Sequence, residues 1–219
     1  MKKYLAGLVA LGVLVSAPAL AHHPLGGMPM TTFGHGLLSG VGHPLLGFDH
    51  LFFVVAVGIA ALFTGRRLLA PLAFVAGMLG GVLLIVGGVA LPAVEAVIAL
   101  SLLLIGGLLA RGKALGLPLA AVLFAGLGLF HGWAFGETIA GQEGGAPLAV
   151  TIGYLVGLAA IQWVIAVAAG FAVGTLGRAT SAAALPARLS GAMVAGAGAF
   201  LLLETFEGVL FATMGVVAG

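Results

Sequence analysis

The chain has 219 residues, of which 62% are hydrophobic and only 6% are charged, and its formal net charge is +2. A soluble domain carries about a quarter charged residues, so this composition excludes a soluble globular protein and indicates a surface that faces lipid. The eight Lys and Arg residues form no basic patch for nucleic acid, and the lack of Cys excludes disulfides, zinc–thiolate sites and thiol catalysis.

The chain begins with the pattern of a secretory signal peptide. Lys2 and Lys3 precede an apolar stretch of about a dozen residues, and Ala21 ends an A-x-A cleavage site. That stretch is short for a membrane span, which needs about 20 residues, although an uncleaved anchor helix is the alternative. We predict a signal peptide over residues 1–21 and a single transmembrane domain over residues 22–219.

The predicted mature chain starts with His22 and His23, whose imidazoles and free amine could collect a divalent metal ion outside the membrane. A solvated tail without function is the alternative. His35 follows and could form a step on the way in. These three residues are secondary candidates for metal binding.

Hydropathy predicts an all-α, polytopic bundle of about six transmembrane helices in a bacterial inner membrane. The stretch Phe33–Leu46, ahead of the first span, is a candidate half-helix that enters the membrane. The predicted spans are Phe48–Phe63, Pro71–Val89, Ala93–Ala110, Leu117–Phe135, Leu148–Gly174 and Leu189–Met214.

Basic residues assign the faces of this bundle. With the mature N-terminus outside, all basic residues after the signal peptide fall in cytoplasmic connections, as the positive-inside rule expects. Both mature termini are then periplasmic. The residues concerned are Arg66, Arg67, Arg111, Lys113, Arg178 and Arg188.

Two short segments place ligand-type side chains at the periplasmic side. His43, Asp49 and His50 lie at the outer mouth of the first span, and His131 and Glu137 lie at the outer end of the fourth. On a straight helix His43 and His50 would be about 10 Å apart along the axis, so one shared metal site requires a kink. Imidazole and carboxylate ligands suit divalent Ni, Co, Zn or Fe. A single buried His more often bonds a neighbouring helix, but two such segments at one depth favour a metal site.

Glu204 lies near the middle of the predicted sixth span and is another secondary candidate for the metal path. A protonated, hydrogen-bonded carboxyl group of structural importance is the alternative. Glu95, at the outer start of the third span, is interpreted as a carboxylate stabilised by the helix dipole.

The two segments match H-x5-D-H and F-H-G-x-A-x-G-E, and together they resemble the signatures of the HupE/UreJ family of nickel permeases. The resemblance extends to the signal peptide, the His-rich start and the six-span layout. It implies uptake of Ni²⁺, with Co²⁺ or Zn²⁺ as further candidate ions, into cells that supply nickel to hydrogenase or urease. By that likeness His43, Asp49, His50, His131 and Glu137 are needed for transport.

The leading hypothesis is therefore a secondary permease or facilitator and not an enzyme. One alternative is an intramembrane metalloenzyme with Glu137 as general base. Another is a metal-sensing accessory subunit that presents nickel to a second membrane protein.

Overall fold

A computed structural model describes residues 29–142 and 145–213, so the predicted signal peptide, His22 and His23 lie outside the described residues. The described ranges contain seven α-helices and no β-strand, which confirms the predicted fold class. The helices are α1 (Phe33–Leu46), α2 (Phe48–Leu62), α3 (Ala70–Val86), α4 (Val94–Ala110), α5 (Leu117–Ala140), α6 (Leu148–Phe171, extended by a π-helical turn over Ala172–Leu176) and α7 (Leu185–Thr213).

Helix length separates these elements into two groups. Within the described residues α5, α6 and α7 are long and apolar enough to cross a membrane, and α1 with α2 would make a fourth, broken span. The helices α3 and α4 are apolar but have 17 residues each, or about 26 Å of rise against a hydrocarbon core of about 30 Å. Each of the six segments predicted as spans is a helix.

A sharp break separates α1 from α2. Gly47 has an extended backbone conformation (φ −88°, ψ 102°), and the axes of the two helices differ in direction by 84°. Pro44 lies inside α1 and is buried, so the break follows the proline by one helical turn and does not occur at the proline itself. The kink predicted between His43 and His50 is present.

Glycine residues allow the helices of the first half to approach those of the second. Along α1, Gly36 and Gly40 lie against the backbones of Val150 and Tyr154 in the same order, so α1 and α6 run parallel. A Cβ atom at either glycine would overlap these backbone atoms. Small residues at such contacts are what membrane helices use for close association.

The other helix pairs are built in the same way. Gly77 lies against Ala125 and Gly132 against Met78, so α3 and α5 are also parallel. In contrast, α4 and α7 are antiparallel, because Gly106 meets Gly191 while residues nearer the start of α4 meet residues later in α7.

These directions match the predicted topology. The helices α1, α2, α4 and α6 run one way through the bundle, and α3, α5 and α7 run the other way. At the end of the bundle predicted to be cytoplasmic, the Arg188 side chain donates a hydrogen bond to the carbonyl of Ala110 (3.0 Å). Several predicted boundaries differ by three to five residues. The helix α3 ends at Val86 and not at Val89, α7 begins at Leu185 and not at Leu189, and α5 continues past Phe135 to Ala140 and therefore includes Glu137.

Candidate metal-handling site

The two predicted segments meet at a pair of imidazoles. The Nδ1 atoms of His50 in α2 and His131 in α5 lie 2.9 Å apart, which is hydrogen-bonding distance. His131 has no exposed surface and His50 is 7% exposed. The break at Gly47 allows this contact, because it turns the start of α2, with His50, toward the interior of the bundle.

A third helix holds the opposite side of the pair. Nε2 of His131 lies 2.8 Å from the hydroxyl oxygen of Ser101 in α4, and that hydroxyl donates to the carbonyl of Ile98 at 2.6 Å. Ser101 is 1% exposed. Both nitrogens of the His131 ring therefore have hydrogen-bond partners from other helices.

Aromatic rings enclose the imidazoles. Phe53 stacks on His131 with ring centroids 4.1 Å apart and an interplanar angle of 20°. The Phe135 ring centroid lies 4.2 Å from that of His50 and 5.2 Å from that of His43, so this ring contacts both imidazoles. This shell keeps the imidazoles out of bulk water and in a region of low dielectric constant, where hydrogen bonds and metal–ligand interactions are stronger.

His43 lies beside the pair without joining it. Its ring centroid is 6.5 Å from that of His50, and its Nδ1 lies 2.9 Å from the hydroxyl of Thr138 in α5. His43 is half-buried. The α1 segment is thus attached to α5 one and a half to two turns beyond His131.

Carboxylates gather at an open pocket next to this cluster. A carboxylate oxygen of Asp49 lies 3.8 Å from Nε2 of His50. Asp49 also lines a pocket of about 270 Å³ together with Glu95 and Glu204. Glu204, the twentieth residue of the 29-residue α7, lines the same pocket as Asp49.

Glu137 points elsewhere than His131. Six residues on a regular α-helix correspond to a rotation of about 600°, so the two side chains differ in direction by about 120° and in height by about 9 Å. The helix α5 is continuous between them, and Gly132 and Gly136 pack closely against α3. Glu137 is exposed and near enough to Glu95 for their charges to repel.

Four of the five main candidates form a chain of pairs, His43 beside His50, His50 against His131 and Asp49 beside His50, and Glu137 lies outside this chain. Within residues 29–142 and 145–213, no three His, Asp or Glu side chains are arranged as a ready-made metal cage. The donors present fit a path on which an ion exchanges partners better than they fit a closed structural site.

The secondary candidate His35 has hydrogen-bond partners of its own among the described residues. At the start of α1, Nδ1 of His35 lies 3.3 Å from the backbone nitrogen of Thr31, and the backbone N–H of His35 donates to the hydroxyl of Thr32.

A buried polar group lies elsewhere in the bundle. Gln162 is fully buried, and neither atom of its amide has a hydrogen-bond partner among the described residues.

Ser101 and Thr138 are site residues that sequence reasoning missed. Ser101 is the one polar side chain in α4 after Glu95, and this isolation within an apolar span was a usable signal. Thr138 directly follows Glu137 and carried no comparable signal, because its role depends on the rotation of α5 relative to α1.

The chain matches a family model described as "HupE / UreJ protein" over residues 9–201. A curated relative, "Protein HupE" of Rhizobium leguminosarum bv. viciae, is 34% identical over 191 residues, which is 86% of this chain and 93% of the relative. No solved structure matches. The match covers both segments that supply the imidazole pair, and the chain is a multi-pass membrane protein that belongs to the HupE/UreJ family.

Proposed function

We propose that this protein is a secondary permease that carries Ni²⁺ inward across the membrane, with Co²⁺ as a further substrate. The observation that carries the proposal is the 2.9 Å contact between His50 and His131, which come from two segments 81 residues apart in sequence. Imidazole nitrogens bind late first-row divalent ions well, and two of them at one buried point form a site with little other purpose in an apolar bundle.

Capture begins at the carboxylate pocket. Asp49, Glu95 and Glu204 make the pocket electronegative and raise the local concentration of cations. Asp49 then shares the ion with Nε2 of His50, and His131 and His43 supply the next nitrogen donors as the ion sheds water. Glu137 adds negative charge at the rim. The membrane potential favours inward movement of a divalent cation.

The N-terminal imidazoles of His22 and His23 act as a collecting site in this proposal, and His35 assists passage from them to the pocket. Their contribution matters when nickel is scarce. At saturating nickel the ion reaches the carboxylate pocket without them.

The decisive experiment is uptake of radioactive nickel in cells that lack other nickel importers. We expect His50→Ala and His131→Ala, at normal membrane levels, to abolish accumulation. The matched control is His35→Ala at saturating nickel, because His35 is about 12 Å of helix rise away from His43. Wild-type uptake by both His50→Ala and His131→Ala would reject the proposed site.

Purified protein in liposomes separates the permease from its alternatives. Nickel flux without any partner supports the permease. Tight stoichiometric binding without flux would instead identify a metalloenzyme or a metal-sensing accessory subunit. Competition between Ni²⁺, Co²⁺ and Zn²⁺ in the same vesicles measures selectivity.

A further inference from the structure

The Ser101 hydroxyl has two possible acceptors, the carbonyl of Ile98 and Nε2 of His131. Its oxygen is 2.6 Å from the carbonyl oxygen of Ile98, which cannot donate, and two oxygens at this distance repel each other unless a hydrogen lies between them. A hydroxyl group carries a single hydrogen, so that hydrogen lies toward Ile98. The contact of 2.8 Å between Ser101 and Nε2 of His131 must then be an N–H group of the imidazole donating to the serine oxygen.

This assignment propagates through the imidazole pair. A neutral His131 with its proton on Nε2 has its lone pair on Nδ1. The 2.9 Å contact between the two Nδ1 atoms then requires His50 to donate from Nδ1. A neutral His50 that donates from Nδ1 holds its lone pair on Nε2, the nitrogen that lies 3.8 Å from the Asp49 carboxylate.

We propose that Ser101 is a positioning residue that sets the proton on His131 and thereby directs the lone pair of His50 toward Asp49. The inference rests on the proposed function, because it assumes that His50 and Asp49 bind the transported cation. A lone pair and a carboxylate oxygen that face each other are both electron-pair donors, so a divalent cation between them satisfies both. Ser101 never touches the ion and acts through two imidazoles.

Without the Ser101 hydroxyl, nothing favours the Nε2–H tautomer of His131, and the direction of the hydrogen bond between the two imidazoles can reverse. Without Ser101, Nε2 of His131 has no acceptor, and its proton can move to Nδ1 and be donated to His50. His50 then carries its proton on Nε2, which blocks the nitrogen nearest Asp49. Partners of metal-binding histidines that fix the tautomer in this way typically contribute 10–100-fold in affinity or activity.

Nickel uptake as a function of concentration tests the proposal. We expect Ser101→Ala to raise the half-saturating nickel concentration by about 10–100-fold, and Ser101→Thr, which keeps the hydroxyl, to restore it. Ser39→Ala is the matched control, because Ser39 is another fully buried membrane serine, but its hydroxyl has no partner among the described residues. Half-saturation within twofold of wild type in Ser101→Ala would overturn the inference.

Nitrogen NMR of the selectively ¹⁵N-histidine-labelled protein, without nickel, reads the tautomer itself. We expect wild-type His131 to carry its proton on Nε2, and Ser101→Ala to show a mixture with the Nδ1–H form. A wild-type His131 protonated on Nδ1 alone would overturn the inference, and this result does not depend on how well any variant folds. An unchanged tautomer in folded Ser101→Ala would also overturn it. The outcomes are distinguishable from failure of the proposed function, because His50→Ala and His131→Ala test transport and the NMR spectra do not depend on transport.

Discussion

At the scale of single residues, the imidazoles and the carboxylates occupy different surroundings and divide the work. His50 and His131 are buried among phenylalanine rings, whereas Glu95 and Glu204 are exposed at an open pocket with the half-buried Asp49. Exposed carboxylates attract a hydrated cation without requiring it to lose water, and buried nitrogens bind it only after water is lost. The proposed order of capture, carboxylates first and imidazoles second, rests on this difference in exposure.

Glu204 and Glu207 provide a paired test of the carboxylate pocket. Both are exposed glutamates of α7 and lie one turn apart, but only Glu204 lines the pocket with Asp49. We expect Glu204→Gln to raise the half-saturating nickel concentration roughly fivefold, which corresponds to about 1 kcal/mol for the loss of one nearby charge. Glu207→Gln should behave as wild type. The Glu204→Gln effect should also shrink in uptake buffer of high ionic strength, and equal effects of the two variants would exclude a specific role for the pocket.

Gln162 is expected to destabilise the bundle, since its buried amide has no hydrogen-bond partner among the described residues. An unpaired buried polar group costs about 1–3 kcal/mol, so we expect Gln162→Leu, of similar volume, to raise the midpoint of thermal unfolding in detergent. A lower midpoint would show that the amide is paired, for example by water. Loss of nickel uptake in a stabilised variant would place the amide on the ion path.

Residue types and their approximate depth were predictable, but contacts were not. Hydropathy and loop charge indicated that the segments with His43, His50 and His131 lie at one depth, because these two patterns fix the ends of each span. The hydrogen bonds of Ser101 and Thr138 depend on the rotation of α4 and α5 about their axes. The mean hydropathy of +1.30 leaves little contrast between helix faces from which to read that rotation.

At the scale of helices, glycine determines which faces meet. The apolar side chains of these spans are alike on all faces, so a polar–apolar pattern does not select the packed side. Instead the packed faces are those where a glycine lets two backbones touch, as at Gly36, Gly58 and Gly106. The hydrophobic pattern predicted the helices, and the loop charges predicted their directions. Neither pattern predicted that α1 packs along α6.

Gly77 and Gly80 in α3 test this packing rule within one helix. A Cβ atom at Gly77 would overlap the backbone of Ala125 in α5, whereas a Cβ atom at Gly80 meets no atom within 4 Å. We expect Gly77→Ala to lower stability by about 1–3 kcal/mol through overpacking and Gly80→Ala to cause no loss. Thermal unfolding of both variants in the same detergent is the measurement, and equal midpoints would contradict the assigned face.

At the scale of the whole molecule, the connections between helices carry the orientation. The connections at one end of the bundle hold Arg66, Arg67, Arg111, Lys113 and Arg178, and Arg188 lies in the first turn of α7 at the same end. Positive charge at such positions favours the cytoplasmic side. The clustering of basic residues at one end was predictable from sequence, and the side of the membrane that this end faces stays a prediction.

Single cysteines test the orientation directly, since the natural chain has no Cys. We expect a membrane-impermeant maleimide to label Gln142→Cys in intact cells and to label Lys113→Cys only after the membrane is permeabilised. The two positions lie at opposite ends of α5. The reverse pattern would invert the bundle and move the carboxylate pocket to the cytoplasmic face.

The backbone contacts at glycine also limit how the protein can move. The helices α3 and α5 are joined over several turns with no long side chains to rearrange, and α1, α2 and α6 are joined likewise. Such close contacts resist sliding of one helix past another within each group, while the break at Gly47 leaves α1 and α2 free of a continuous helix between them. His131 belongs to the first group and His50 to the second, so any motion of one group relative to the other would change the 2.9 Å contact between the two imidazoles.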